Sequence, residues 1–373
     1  MSIPQIALDA ADLERFGAEA YARAGVPEED ARIAAGCLVR ADLRGVHTHG
    51  NHLLPWYVAR LRQGGLNPRP AMRVVRESDA LLLLDADAAI GHLAATRAME
   101  RAIERARRMG VGAVGVRNAN HLGAASMYAM MALEHGQIGL ASSNTVSALP
   151  PSGGLTPSVG NNPLSVAVPA GRYPPIVLDM ATSTVAGLKL ILAARRGEKI
   201  PLGWALDKLG NPTDDPNAWL EGGTLTPFGG VKGYGLALVL EVLDAVLTGA
   251  GFGRDLPASE NDFTQPERVG FFLLAVDVAA FLPLEQFTRR VDAFVEQLKG
   301  AKPAPGSAGV LLPGEIEHGL REARLRTGIP FEPRIVGELN HLADDLGIRR
   351  PKLAESTPSP PAPLPPSGRG ERG

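Results

Sequence analysis

An α/β or α+β fold with a partly antiparallel sheet is what this 373-residue sequence predicts. Amphipathic helical stretches alternate with short β-branched ones along most of the chain, as in layered helix-and-sheet folds. Two regions, 70–85 and 138–180, place strands side by side with no helix between them, and such neighbours pair antiparallel. No fixed-period repeat runs through the chain.

Taken in order, residues 8–42 read as helical with a break at "GVPEED", where Pro27 suits a first helical turn and the acidic residues suit its positive end. A His-rich turn leads to a helix over 55–63, and then to two strands within "LNPRPAMRVVRESDALLLLDADAAIG". Residues 92–109 carry Ala, Leu and Ile at helical spacing with Arg and Glu between them. "GVGAVG", at 110–115, follows that helix and opens a strand. Its spacing matches the G-x-G-x-x-G of dinucleotide-binding turns, but that turn works only between a preceding strand and a following helix. Gly110 therefore reads as a helix stop, and Gly112 and Gly115 as close-packing positions in a strand. Next come a loop and helix closing at Gly136, strands in "QIGLASSNT", "PLSVAVPA" and "PPIVLDM", and a helix in "VAGLKLILAARRG". "GWALDKLGNPTDDPNAW" reads as loop. An apolar helix follows "GGVKGYG", then a strand in "RVGFFLLAVD", and helices in "PLEQFTRRVDAFVEQLKG" and "GEIEHGLREARLRTGI". Residues 355–373, mostly Pro, Ser and Gly, cannot bury a core and read as a disordered tail.

The net charge of −2 and the scarcity of aromatics argue against nucleic acid as a partner. A single cysteine, Cys37, excludes an intrachain disulfide framework and a multi-cysteine metal site, and its apolar run makes it a small buried hydrophobe. No basic-then-apolar leader is visible, and no apolar run reaches the roughly 18 residues of a membrane span. A cytoplasmic protein is the expectation.

Five polar clusters stand out. "GVHTHGNH" gathers His47, His49 and His52, three of the eight histidines. H-x-H on a strand would put two imidazoles on one face, as metal hydrolases do. In a polar turn, one of them could instead trade a proton near neutral pH, and histidines that merely decorate a surface are the plainer alternative. His121, in "NANHLGAAS", precedes a helix among small residues that let a ligand reach backbone N–H groups, though a capping role for Asn120 and His121 fits as well. Asn161 and Asn162 before Pro163 make either a structural turn or a pair of amides for a carboxylate. Asp179, in "VLDMATST", sits at a strand end, where α/β proteins commonly bind ligands. Lys232 lies among glycines in "FGGVKGYGLAL", without the Walker order.

In sequence, "RGVHTHG…LPWYVARLRQGGLNP", "NANHLGAAS", "SNT", "GNNPLSVAVP", "LDMATST" and "GGVKGYGLAL" resemble the type 2 malate/L-lactate dehydrogenase family over residues 10–345. The resemblance implies NAD or NADP bound without a Rossmann unit, in a cofactor domain (73–315) on a largely antiparallel sheet. A mainly helical domain (1–72 with 316–350) would carry the catalytic histidine. It implies a homodimer, a small-molecule substrate and no resident metal. By position, His49 would be the proton donor, with Thr48 as its hydroxyl partner and His121 as a second acid/base or cofactor-side histidine. His121, Leu122, Gly123, Ala124, Ala125, Asp179, Met180, Ala181, Lys232, Gly233, Gly314 and Glu315 fall where the family holds the dinucleotide. Asn161 and Tyr57 fall on the substrate side. The reaction implied is interconversion of a 2-hydroxy and a 2-oxo acid. A cyclic imino-acid reductase of the same family and a metal hydrolase using His47 and His49 are the alternatives.

Two departures concern the substrate. Many relatives carry Arg four residues after the catalytic histidine, where this chain has Leu53, so His52, Arg60 or Lys189 would supply the cation for a carboxylate. Relatives often read Gly-Lys where this chain has Leu188-Lys189. Arg195 and Arg196 could meet a 2′-phosphate or simply end a helix.

Overall fold

The computed structural model describes residues 5–257, 262–307 and 309–354; the tail expected at 355–373 lies outside them. Its largest sheet has seven strands, in the order Arg73–Glu77, Leu81–Asp85, Val111–Ala119, Val269–Asp277, Gln137–Ser143, Leu164–Val168, Ile176–Met180. Only Leu81–Asp85 with Val111–Ala119 is a parallel pair; the other neighbours are antiparallel. A parallel pair needs a crossover, and the helix Gly91–Met109 supplies it. That helix lays Ala94, Ala98, Ala102 and Ala106 into the core it shares with Val114, Phe271 and Leu273. A side chain at Gly112 would run into the helix backbone at Ala102, so glycine sets how closely helix and strand approach. Gly110 ends the helix at φ +82°, and the strand begins one residue later. The "GVGAVG" segment thus has the helix-first order read from sequence.

The N-terminal helices Ala10–Arg23, Glu28–Leu43 and Leu54–Gln63 pack with the C-terminal helix Pro333–Leu346. They enclose a second core of Phe16, Tyr21, Leu38, Tyr57 and Leu339. The strands Ile6–Leu8 and Ile329–Phe331 pair antiparallel and stitch the two ends of the chain together. Asp9 caps the first helix, its carboxylate accepting the N–H of Asp12 at 2.8 Å.

A third core gathers Leu149, Leu190, Ile200, Leu225 and Ala237, with Trp204 and Trp219 against it. Here the reading of "GWALDKLGNPTDDPNAW" as loop is corrected. Ala205–Leu206 and Pro212–Thr213 form a small hairpin, and Pro216–Leu220 is a helical turn. The Asp207 carboxylate closes the hairpin by taking the N–H groups of Leu209 and Asn211, and Asp215 caps the turn. Asp side chains that build turns read locally as loop, and the strands they join are only two residues long.

The helix Val231–Glu241 runs into a π-helical turn, Val242–Val246, whose Asp244 is fully buried. Ser142 donates to Asp244 Oδ1 at 2.5 Å, while Oδ2 has no hydrogen-bond partner among the described residues. Burial pushes this carboxyl well above the usual range, with nearby Glu241 adding to the shift. The folded state therefore holds a proton that the unfolded state releases. The stability this group contributes is present below the unfolded carboxylate pKa and is lost as pH rises through the folded one. Asp244→Asn, neutral at every pH, should leave the protein more heat-stable than the parent at pH 8, with the gap closing towards pH 4. Thermal unfolding across that range checks it; a gap that does not change with pH would show that the native carboxyl is ionised.

Candidate active site

The Glu28–Leu43 helix ends at Arg44, and the chain turns through two 3₁₀ turns, His47–His49 and Asn51–Leu53, into the Leu54–Gln63 helix. The anchor of this turn is Asp42, fully buried. Its carboxylate accepts from His47 Nδ1, from Asn51 N and from Asn51 Nδ2, each at 2.8 Å, and Arg324 donates to its backbone carbonyl. The H-x-H pair therefore does not line one face of a strand, as a metal site would have required. In a 3₁₀ turn the two rings diverge: His47 goes to Asp42 and the edge of Phe331, and His49 goes inward. Among the described residues, no group of three His, Cys, Asp or Glu is placed to hold a metal ion.

His49 stacks on His121, with ring centroids 5.5 Å apart and planes 21° apart. Thr48 Oγ1 lies 2.9 Å from His49 Nδ1, and Tyr57 Oη lies 2.7 Å from His121 Nδ1. Both Nδ1 atoms thus meet a hydroxyl, which leaves the Nε2 atoms for other work. His121 comes from the loop after Val111–Ala119. Its N–H donates to the Glu267 carboxylate, and its carbonyl sits so close to Gly91 that a side chain there would overlap it. Glu267 in turn pairs with the fully buried Arg60 at 3.2 Å, and Arg60 lies over the Trp56 ring, 4.9 Å from its centroid. Asn120 ties the same loop to Ala88 O, Ala89 O and Glu267 N.

A further histidine, His92, is buried beside this pair, its ring edge-on to Tyr57 at 5.0 Å. Gly123, at φ +78°, presses against it; a Cβ there would lie 2.5 Å from His92 Nε2. Burial holds all three imidazoles neutral, with neighbouring His or Arg charges adding to it. His49 and His92 are pushed down to about 3 and His121 to about 4.

The dinucleotide candidates converge on one sheet edge. Ser126 donates its hydroxyl and N–H to Asp179, joining the 121–126 loop to the Ile176–Met180 strand, and Met180 and Ala181 continue from there half-buried. Val177 N donates to Pro313 O at 3.0 Å, and Gly314, at φ +84°, packs on Val177. Glu315 is engaged within the chain, paired with Lys299 at 2.7 Å and accepting from Leu312 N. Phe228 N donates to Thr182 O, which brings the loop before Lys232 and Gly233 to the same place. Lys232 is exposed at the start of its helix, and Gly229 and Gly230 before it border open space. Asn161 joins through Thr182 N and Thr145 Oγ1, whereas Asn162 is buried against Glu241 and Ala237 O.

The cations named for a carboxylate fare differently. Leu53 packs on the helical core. Arg60 is committed to Glu267 and the Gln265 carbonyl. Lys189 is exposed, 5.9 Å from the centroid of the Trp204 ring. His52 is half-buried, with Nδ1 unpartnered among the described residues. Sequence reasoning passed over Asp42, Trp56, His92 and Glu267. His92 was absorbed into a helical pattern, and Glu267, in "QPERVGFF", lies far in sequence from what it holds.

A family model described as malate/L-lactate dehydrogenase matches residues 8–340. The chain belongs to that family. It is 40% identical over 324 residues to the L-sulfolactate dehydrogenase of Methanocaldococcus jannaschii, covering 87% of this chain and 92% of that protein. It is 35% identical to the ureidoglycolate dehydrogenase (NAD(+)) of Escherichia coli K12, over 79% of this chain and 83% of that one. It is 36% identical to the (2R)-3-sulfolactate dehydrogenase (NADP(+)) of Chromohalobacter salexigens, over 84% and 91%. The malate dehydrogenase structure from Pyrococcus horikoshii superposes with a TM-score of 0.86 at 33% identity, covering 94% of this chain and 99% of that one. This malate/L-lactate dehydrogenase family member, with its mixed sheet in which antiparallel pairs predominate, shares its overall fold with that structure. Among its described residues no helix is long and apolar enough to cross a membrane.

Proposed function

We propose that this chain is an NAD(P)-dependent oxidoreductase that interconverts a 2-hydroxy acid and a 2-oxo acid, with His49 as proton donor and acceptor. The observation that carries the reading is the stacked His49–His121 pair, each Nδ1 against a hydroxyl and His121 leading into the loop that meets Asp179. The residues at the sheet edge fit a dinucleotide. Open glycines at 229–230 leave backbone accessible, and exposed Lys232 suits a phosphate. When bound, the nicotinamide supplies or takes up the hydride. The chain's own part is to bind the acid, keep water away from the reacting carbon and move one proton at His49 Nε2. Reduction takes that proton up onto the substrate oxygen; oxidation returns it to the imidazole.

In this reading the dinucleotide binds on residues 73–315 without a Rossmann unit, and 1–72 with 316–350 carry His49. Lys189 then supplies the charge for the substrate carboxylate, and Asn161 and His52, whose burial favours the neutral ring, are its hydrogen-bond partners. The protein is a homodimer in this reading. Val239, Val242, Val246 and Leu247 leave an exposed apolar stripe on one face of the helix that starts at Val231, the kind of surface a second copy covers.

Titration with NADH and with NADPH, followed by nicotinamide absorbance on a panel of 2-oxo acids, tests the function. Tight binding of one nucleotide and its oxidation by at least one acid is the expected result. Failure to bind either nucleotide would overturn the reading.

A further inference from the structure

Tyr57 is fully buried, its ring wedged between Tyr21, Trp56 and His92. The phenol's one hydrogen bond among the described residues is the 2.7 Å contact with His121 Nδ1. Burial pushes the phenol well above its ordinary value, so it keeps its proton and needs an acceptor for it. A neutral imidazole has one nitrogen that accepts and one that donates. Were Nδ1 the donor, two hydrogens would compete for one line and the phenol would be left without an acceptor in a dry interior. With the phenol donating, Nδ1 accepts and the ring proton sits on Nε2.

We infer that Tyr57 is a positioning residue that fixes His121 as a permanent Nε2–H donor, so that His121 polarises the substrate's oxygen while His49 alone carries the proton. This division of labour deepens the dehydrogenase reading and rests on it, but the tautomer itself does not. The two histidines are not equivalent. The hydroxyl at His49 belongs to Thr48, a half-buried rotor that can donate or accept and so lets His49 change protonation state. The hydroxyl at His121 is a rigid, buried phenol. The backbone of His121 is equally constrained, by Glu267 on its N–H and by Gly91 against its carbonyl. An imidazole held at the backbone, at Nδ1 and across its face by His49 has little freedom to flip. It suits the fixed, preorganised donor that hydride transfer to a carbonyl needs.

The test uses the full chain. Nitrogen-15 NMR of the imidazoles reads the tautomer without any turnover. His121 should show the Nε2–H form in the parent and a mixture in Tyr57→Phe. Tyr57→Phe should also lower kcat about tenfold, the equivalent of one lost hydrogen bond, with KM little changed. It should add a second ionisation nearer neutral to the pH–rate profile, because removing a donor to the neutral ring raises its pKa. His121→Gln, whose amide nitrogen takes the place of Nε2 and cannot act as a base, should keep more activity than His121→Asn, and it serves if Tyr57→Phe folds poorly. An Nδ1–H tautomer in the parent would overturn the proposal, as would parent-like spectra and pH profile in Tyr57→Phe. If no acid is turned over at all, the functional reading fails, and the spectra still decide the tautomer.

Discussion

His49→Ala should lower turnover of the best 2-oxo acid by roughly a hundredfold or more, the usual worth of a positioned acid–base group, while leaving nucleotide binding near the parent value. The residue is half-buried at the inner end of a 3₁₀ turn, and its ring is backed by His121 and the Thr48 hydroxyl. It belongs to none of the three hydrophobic cores of the described residues, so the variant should fold. The pH dependence adds a sign. Burial first, then His121 and His52, hold the free imidazole down to about 3, so the resting site is neutral at pH 7. Carbonyl reduction needs the protonated ring, so its kcat/KM should climb as pH falls from 8 towards 5. Alcohol oxidation needs the neutral ring, so it should hold level, or fall slightly, over the same descent in pH. A bound carboxylate beside the ring would raise its pKa and move the reduction profile towards neutrality. In His49→Ala this slope should vanish along with the rate. Full activity with an unchanged profile would remove His49 from the mechanism.

Much of the layout was legible because helical periodicity and β-branched runs are local signals. The 92–109 pattern, the stop at Gly110 and the strand after it appear in the structure one residue from where they were read. The antiparallel character of the sheet followed from adjacent strands in 138–180. What sequence could not reveal is pairing at a distance. Val269–Asp277 inserts between Val111–Ala119 and Gln137–Ser143, and no local pattern says so. The same holds at the site. His49 and His121 were visible as polar islands, but their stacking depends on a crossover and a turn 72 residues apart in sequence. Glu267 reaches the His121 N–H from 146 residues away. Tyr57 was expected to face the substrate; its complete burial and its bond to His121 become visible only once the helices are packed.

Gly50→Ala should be among the most damaging single changes in the chain. Gly50 sits between the two 3₁₀ turns with an extended backbone, φ −99° and ψ −156°, so positive φ is not its reason for being glycine. The reason is close approach: a Cβ built there would overlap the Asp42 carboxylate. That carboxylate is wholly buried and cannot step aside without dropping His47 or one of the two Asn51 donors. Leaving a buried carboxylate short of one of its hydrogen-bond donors costs on the order of 2 to 3 kcal/mol, because it stays desolvated. Gly50→Ala should therefore lower the unfolding temperature by several degrees, and it should lose activity as well, since Gly50 directly follows His49. Asp42→Ala removes the obstacle but leaves Asn51 and His47 unpaired, so it should destabilise to a similar extent. If the clash is what matters, the double variant Gly50→Ala/Asp42→Ala should be hardly worse than Asp42→Ala alone, because both changes act on one contact. Thermal unfolding of the three proteins settles it. Strictly additive losses would mean that Gly50 is required for something other than room for Asp42.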